Sequence, residues 1–319
     1  MNFNDLNLNL NALPLSERGS TANPSVHIVH RSLPVRFVRG LLMCARIVAP
    51  EWLYGIFYRV GFAAWKGALR LLYGRRMLRA WLLGDREGFE MYRTVHRAMQ
   101  FSLVGSSGLE ATYKAAAELL QDGMEGALVE CGVAEGGCSA LMATVAAKQN
   151  EPRTTWLCDS FEGLPDPTEK DFVKPNSQTT GENVRPLARG SCLGSVERVQ
   201  DVLFRRFGLS CTRVQLVKGW FQDTLPAYRD KIGPIAMLRI DGDWYESTKC
   251  CLENLFDQVV PGGYCIVDDY GTFCGCRKAT DEFIQSRDLK IQAVSDGRGG
   301  FLFRKPFESR SKPKPVCVA

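Results

Sequence analysis

The feature that most constrains this chain is an alternation that runs from about residue 126 to residue 305. Short apolar runs, several ending in an acid, alternate there with segments of helical periodicity. ALVEC, TTWLCD, TRVQLVKG, PIAMLRIDGD and YCIVDDYG read as strands, while CSALMATVAAKQ, VERVQDVLFRRF, ESTKCCLENLFDQV and CRKATDEFIQSR read as helices. Strands joined through helices build a parallel sheet. The last two runs, KIQAV and GGFLFRK, are separated only by an Asp-Gly-Arg-Gly-Gly connection, which makes them a hairpin and one strand antiparallel. An α/β fold with a mostly parallel sheet is therefore expected.

A chain of 319 residues is long enough for one such core and an additional segment. Residues 1–30, rich in Asn, Ser and Pro without apolar periodicity, are expected to form a disordered arm. Residues 31–104 are expected to be a basic helical extension, residues 105–308 the catalytic domain, and residues 309–319 a flexible tail. Between 31 and 84 there are ten Lys or Arg and one acid, Glu51. Arginines set among Trp, Tyr, Phe and Leu suit a helix lying in a lipid interface, and equally a helical cap or dimerisation arm. No run approaches the ~20 apolar residues that span a bilayer. No zinc-finger, KH or RNP pattern accompanies the charge, so nucleic acid is not an expected partner. The start lacks a secretory signal, and the twelve cysteines are scattered through apolar runs, which fits reduced thiols in a cytoplasm. The location expected is cytoplasmic, or peripheral at the inner membrane face. All three histidines, His27, His30 and His96, precede the core, so a serine or cysteine hydrolase built within it has no histidine base.

Chemistry is concentrated at strand ends. Glu130-Cys131-Gly132-Val133-Ala134-Glu135-Gly136-Gly137 lies at the first strand-to-helix turn, where a nucleotide-like ligand reaches the backbone. Its G-x-x-x-G-G spacing departs from the G-x-G-x-x-G of NAD enzymes and matches the form used by class I methyltransferases. The second strand ends at Asp159, at the distance where an acid meets ribose hydroxyls. Asp241-Gly242-Asp243 and Asp268-Asp269 end two later strands. Four carboxylates at one sheet edge repel unless a cation neutralises them, and donors that are all oxygen favour Mg²⁺, with Mn²⁺ or Ca²⁺ as alternatives. Residues 160–192, polar and rich in Pro and Gly, are expected to act as a lid.

ECGVAEGGCSALMA, WLCDSFEGLPDP, GWFQDTLP, LRIDGDWYEST and the PGGYCIVDDYG segment with its following FCGCRKATDEF occur in order, and together they resemble the TylF, or macrocin-type, O-methyltransferase family. The resemblance covers residues 105–305 and implies a Rossmann-like, seven-stranded class I methyltransferase fold. It implies S-adenosylmethionine and Mg²⁺ (or Mn²⁺) as cofactors, and hydroxyls of sugars on natural products or glycans as acceptors. By the same resemblance Glu130, Gly132, Ser139, Asp159 and Ser160 hold the methionine and ribose parts of the cofactor, and Gly219, Trp220 and Phe221 border its adenine. Asp241, Asp268 and Asp269 become the metal ligands and Asp243 the base. An NAD-linked sugar oxidoreductase and an inactive membrane-associated scaffold are the alternative readings. A homo-oligomer and a membrane contact through residues 31–84 are further expectations.

Overall fold

The computed structural model describes residues 51–148, 153–172 and 186–307. The expected arm at 1–30, the first part of the basic extension at 31–50, the middle of the expected lid at 173–185 and the tail at 309–319 lie outside the described residues.

Helix α1 spans Glu51–Leu82, α2 Arg86–Ala98 and α3 Ser106–Gln121. The core follows as β1 (Ala127–Cys131), α4 (Gly137–Ala146), β2 (Thr155–Asp159), α5 (Val196–Gln200), β3 (Val214–Lys218), α6 (Phe221–Ile232) and β4 (Ile235–Ile240). It ends with α7 (Tyr245–Leu255), β5 (Val259–Val267), α8 (Cys274–Ser286), β6 (Val294–Ser295) and β7 (Phe301–Arg304). The seven strands form one sheet in the order β3-β2-β1-β4-β5-β7-β6. β7 pairs antiparallel with β5 and β6, and the other pairings are parallel.

Alternation along each strand divides the core between two faces. Ala127, Val129 and Cys131 of β1 face α6, α7 and α8 with Leu238, Ile240, Cys265 and Val267. Leu128 faces the other way, into a cluster that includes Tyr73, Val95, Ala98, Leu109, Leu119 and Met142. The N-terminal helices thus share a core with the sheet. The same alternation puts Glu130 and Arg239, register partners on β1 and β4, on the face that α4 covers.

Three local expectations are corrected. The long helix read at 196–207 is α5 followed by a wider π turn over Asp201–Arg206. The Pro-Gly-Gly expected to end α7 lies inside β5, where pairing with β4 shifts register and Gly262 N donates to Lys305 O. It is a bulge, the device that lets a strand carry an unpaired proline. The strand expected over 290–294 reduces to Val294–Ser295, because Ile291 packs against the core instead of joining the ladder.

Candidate active site

The turn after β1 is built from close approaches. β1 ends in Cys131, and Gly132 turns away from it at φ +92°, where a Cβ would lie 1.8 Å from Asp241 O. Only glycine fits both the angle and the contact. Ala134 and Gly136 continue the turn at positive φ into the N-terminus of α4.

Asp159 at the end of β2 holds that turn in place. Its Oδ2 accepts from Val133 N at 2.6 Å, and its Oδ1 accepts from Phe161 N at 2.7 Å. Burial raises its pKa while the three backbone amides that it meets oppose the shift. Ser160 donates to Gly163 O at 3.1 Å, closing the loop that follows. Gly219 N donates to Asp159 O, so β3 delivers Trp220 and Phe221 to the same edge. Both of these aromatics line the cavity.

Glu130 lines the cavity and is also held from the protein side. Its carboxylate accepts from Ser139 Oγ on α4 and from Arg239 Nη1 at 3.1 Å, and burial raises its pKa to about 7. Ser139 is fully buried in that contact, so it supports the turn from behind.

The four aspartates converge as expected, but unequally. Oxygens of Asp241, Asp243 and Asp269 lie within 4.8 Å of one another. Asp268 stands apart from that trio: its Oδ1 accepts from Arg239 Nη2 at 2.6 Å and its Oδ2 from Arg298 Nη1 at 2.7 Å. Burial, followed by the charge of Asp241, raises the pKa of Asp243 well above the aspartate range. Burial, followed by the charge of Asp243, does the same for Asp269. Asp269 Oδ2 is buried with no hydrogen-bond partner. Three crowded carboxylates, one with an orphaned oxygen, suit an oxygen-seeking divalent cation.

Cavity and strain coincide here. A cavity of about 800 Å³ is lined by Gly132, Val133, Asp159, Trp220 and Phe221 on one side and by Asp241, Asp243, Asp268, Asp269 and Arg298 on the other. Ala134, Cys192 and Asp243, three of the five non-glycine residues with positive φ among those described, line it too. Strained backbone of this kind is held where positioning of a side chain matters. The far wall comes from Leu103 and Val104 before α3, from Leu187 and Arg189, and from Phe273. Trp244, fully packed, donates through Nε1 to Pro165 O at 3.1 Å and fixes the start of the 160–192 segment.

Two residues that pair with the acids of the site, Arg239 and Arg298, were missed in the sequence. Arg239 could have been found, because a lone charge inside the apolar run IAMLRI demands buried partners. Arg298 carries no such signal in Asp-Gly-Arg-Gly-Gly.

The strand order, with one antiparallel strand beside β5 and the glycine turn after β1, defines an S-adenosylmethionine-dependent methyltransferase of class I. Within that class the chain belongs to the TylF family of macrocin O-methyltransferases, whose family model matches residues 92–305. It is similar to a demethyldecarbamoylnovobiocin O-methyltransferase of Streptomyces niveus, 34% identical over 64% of this chain and 75% of the relative. It is also similar to the 8-demethyl-8-(2,3-dimethoxy-α-L-rhamnosyl)-tetracenomycin-C 4′-O-methyltransferase of Streptomyces olivaceus, 37% identical over 68% of this chain and 80% of the relative. The solved structure of the O-methyltransferase NovP superposes with a TM-score of 0.56 at 32% identity, covering 65% of this chain and 83% of NovP. The chain is therefore an S-adenosylmethionine-dependent O-methyltransferase.

Proposed function

We propose that this enzyme methylates a hydroxyl of a sugar on a natural product or glycan, and that Asp241 and Asp269 hold a divalent cation beside that hydroxyl. The observation that carries the proposal is the buried carboxylate trio, with its orphaned Asp269 oxygen, in the same cavity as the cofactor turn. The rhamnosyl acceptor named for the Streptomyces olivaceus relative supports a sugar. Asp268 is the proposed third ligand, and it joins the set only by exchanging Arg298 for the ion.

S-adenosylmethionine supplies a methyl on a sulfonium, so the work left to the protein is in-line placement and removal of one proton. A bound divalent cation would acidify the acceptor hydroxyl as a Lewis acid. The turn at Gly132 to Gly136, clamped by Asp159, positions the cofactor. Glu130, Gly132, Ser139, Asp159 and Ser160 are proposed to hold the methionine and ribose parts of the cofactor, and Gly219, Trp220 and Phe221 to border its adenine. Asp243 is proposed as the base: the hydroxyl proton passes to its carboxylate as the C–O bond forms and the C–S bond breaks, leaving S-adenosylhomocysteine. Asp243 lies in the same carboxylate trio and lines the same cavity, which supports a position beside the acceptor hydroxyl that the cation would hold. Two adjacent hydroxyls would give the cation a chelating acceptor, so a vicinal diol is the favoured class.

The test is incubation of the full chain with S-adenosylmethionine and a panel of glycosides and cell glycans, read by mass spectrometry. One added methyl on sugar-bearing compounds, lost in EDTA and restored by Mg²⁺, is the expected result. Methylation of aglycones alone sinks the sugar reading, and transfer that EDTA leaves untouched sinks the cation.

A membrane contact remains a second proposal for α1. Leu71, Leu72, Leu78 and Leu82 are exposed there, with Arg75 and Arg79 between them, and no acid occurs between Glu51 and Asp85. Two copies packed through this face would oppose arginines without a counter-ion, whereas anionic headgroups meet both features. Co-sedimentation with anionic but not neutral vesicles is expected; equal behaviour with both assigns the face to a cap or an oligomer. No helix among the described residues is long and apolar enough to cross a membrane.

A further inference from the structure

Arg298 sits on the turn between β6 and β7. Asp296 Oδ1 closes that turn, accepting from Arg298 N at 2.7 Å and from Gly299 N at 2.9 Å. The side chain then passes Gly105, whose added Cβ would lie 3.2 Å from Arg298 Cδ, and enters the active-site cavity. There its guanidinium donates to Asp268 Oδ2, and it lies within the field of Asp269 and Asp241 as well.

The two guanidinium groups that hold Asp268 differ in how firmly they are committed. Arg239 is fully buried and shared among Glu130, Asp241 and Asp268. Arg298 keeps 34% of its side chain exposed and, among the described residues, makes its ion pair with Asp268 alone. Arg239 has nowhere else to put its charge, whereas Arg298 can turn toward solvent. A divalent cation at the aspartates brings charge of the same sign into the same field, close enough for strong repulsion. One of the two must give way at Asp268.

We propose that Arg298 is a tethered countercharge that competes with the divalent cation for Asp268, weakening the site so that the ion exchanges and linking its occupancy to the β6–β7 turn. This rests on the cation reading above. Arg298 acts here through Asp268, as a positioning residue. An ammonium in the same place would preserve the competition, and a neutral side chain would abolish it.

Titration of the full chain with Mn²⁺ in a calorimeter tests the inference, without S-adenosylmethionine or acceptor. Arg298→Gln is expected to bind Mn²⁺ at least about tenfold more tightly than the wild type, and Arg298→Lys to stay within about threefold of it. Arg298→Met, which keeps the aliphatic packing at Gly105 and drops the charge, repeats the measurement should the glutamine variant fold poorly. The gain should vanish in the Asp268→Asn background, because the contested carboxylate is gone. A merely structural arginine would predict weaker binding and a lower melting temperature in every variant. Neutral variants that bind no tighter than the wild type overturn the inference and leave the cation site standing. Absence of Mn²⁺ binding in wild type and variants alike overturns both.

Discussion

Arg239 and Asp268 meet in a fully buried ion pair, Nη2 to Oδ1 at 2.6 Å, that ties the carboxyl end of β4 to that of β5. The same guanidinium reaches Glu130 on β1 and Asp241 after β4. Removing it strands three acids, and breaking a buried pair on one side costs about 3–5 kcal/mol. Arg239→Met is expected to lose at least that much in urea unfolding. Arg239→Lys should recover little, since a single ammonium lacks the fork that spans Asp241 and Asp268. Full rescue by lysine would show that charge alone matters there.

Gly132→Ala places a methyl 1.8 Å from Asp241 O at a φ of +92°. Either the β1 turn or the Asp241 backbone must move, and both line the cavity proposed to hold the cofactor. Calorimetry should show loss of S-adenosylmethionine binding together with a lower melting temperature. A variant that binds the cofactor normally would mean that the turn adapts at little cost.

For Asp243→Asn the expected pattern is selective. The side chain stays the same size at a strained position, φ +55°, so the cofactor should bind as before. Turnover should fall by roughly 10²–10⁴-fold, the usual contribution of a general base. Single-turnover kinetics distinguish the step, and an unchanged rate removes Asp243 from the chemistry.

The pH dependence has a definite sign. The folded-state pKa of Asp243 is raised by burial and by the charges of Asp241 and Asp268, and that of Asp269 by burial and by the charges of Asp243 and Asp241. Carboxyl groups of this kind stabilise the fold fully below the ordinary aspartate range, and that contribution is lost as pH rises through the raised values. With EDTA present, the melting temperature should therefore fall as pH rises above the ordinary aspartate range. Mg²⁺ binds the ionised forms, so its stabilising effect should grow with pH over the same interval. Stabilisation by Mg²⁺ that is greatest at low pH would contradict this.

The sheet was readable because the five parallel strands declare themselves by apolar runs ended by an acid or a glycine, and the hairpin declares the antiparallel strand. Features that depend on distant pairings were not. The β5 bulge turns on pairing between Gly262 and Lys305, 43 positions apart in a chain whose local Pro-Gly-Gly reads only as a stop. Convergence of Asp241, Asp243, Asp268 and Asp269 follows from parallel strand ends, so the cluster was legible. Which acid turns to an arginine depends on Arg239 and Arg298 reaching from β4 and from a distant turn, and spacing alone carries no trace of that.

The connection after β2 is fastened at its base: Leu164 N donates to Ser191 O, and Gly190 N returns a bond to Leu164 O, each at 2.9 Å. Its early part is held a second time by Asp171, whose Oδ1 accepts from Tyr245 N where α7 begins. Because Tyr245 follows Asp243 by two residues, the described start of this connection is moored beside the aspartates, and a change at Asp171 is felt at that end of the cavity.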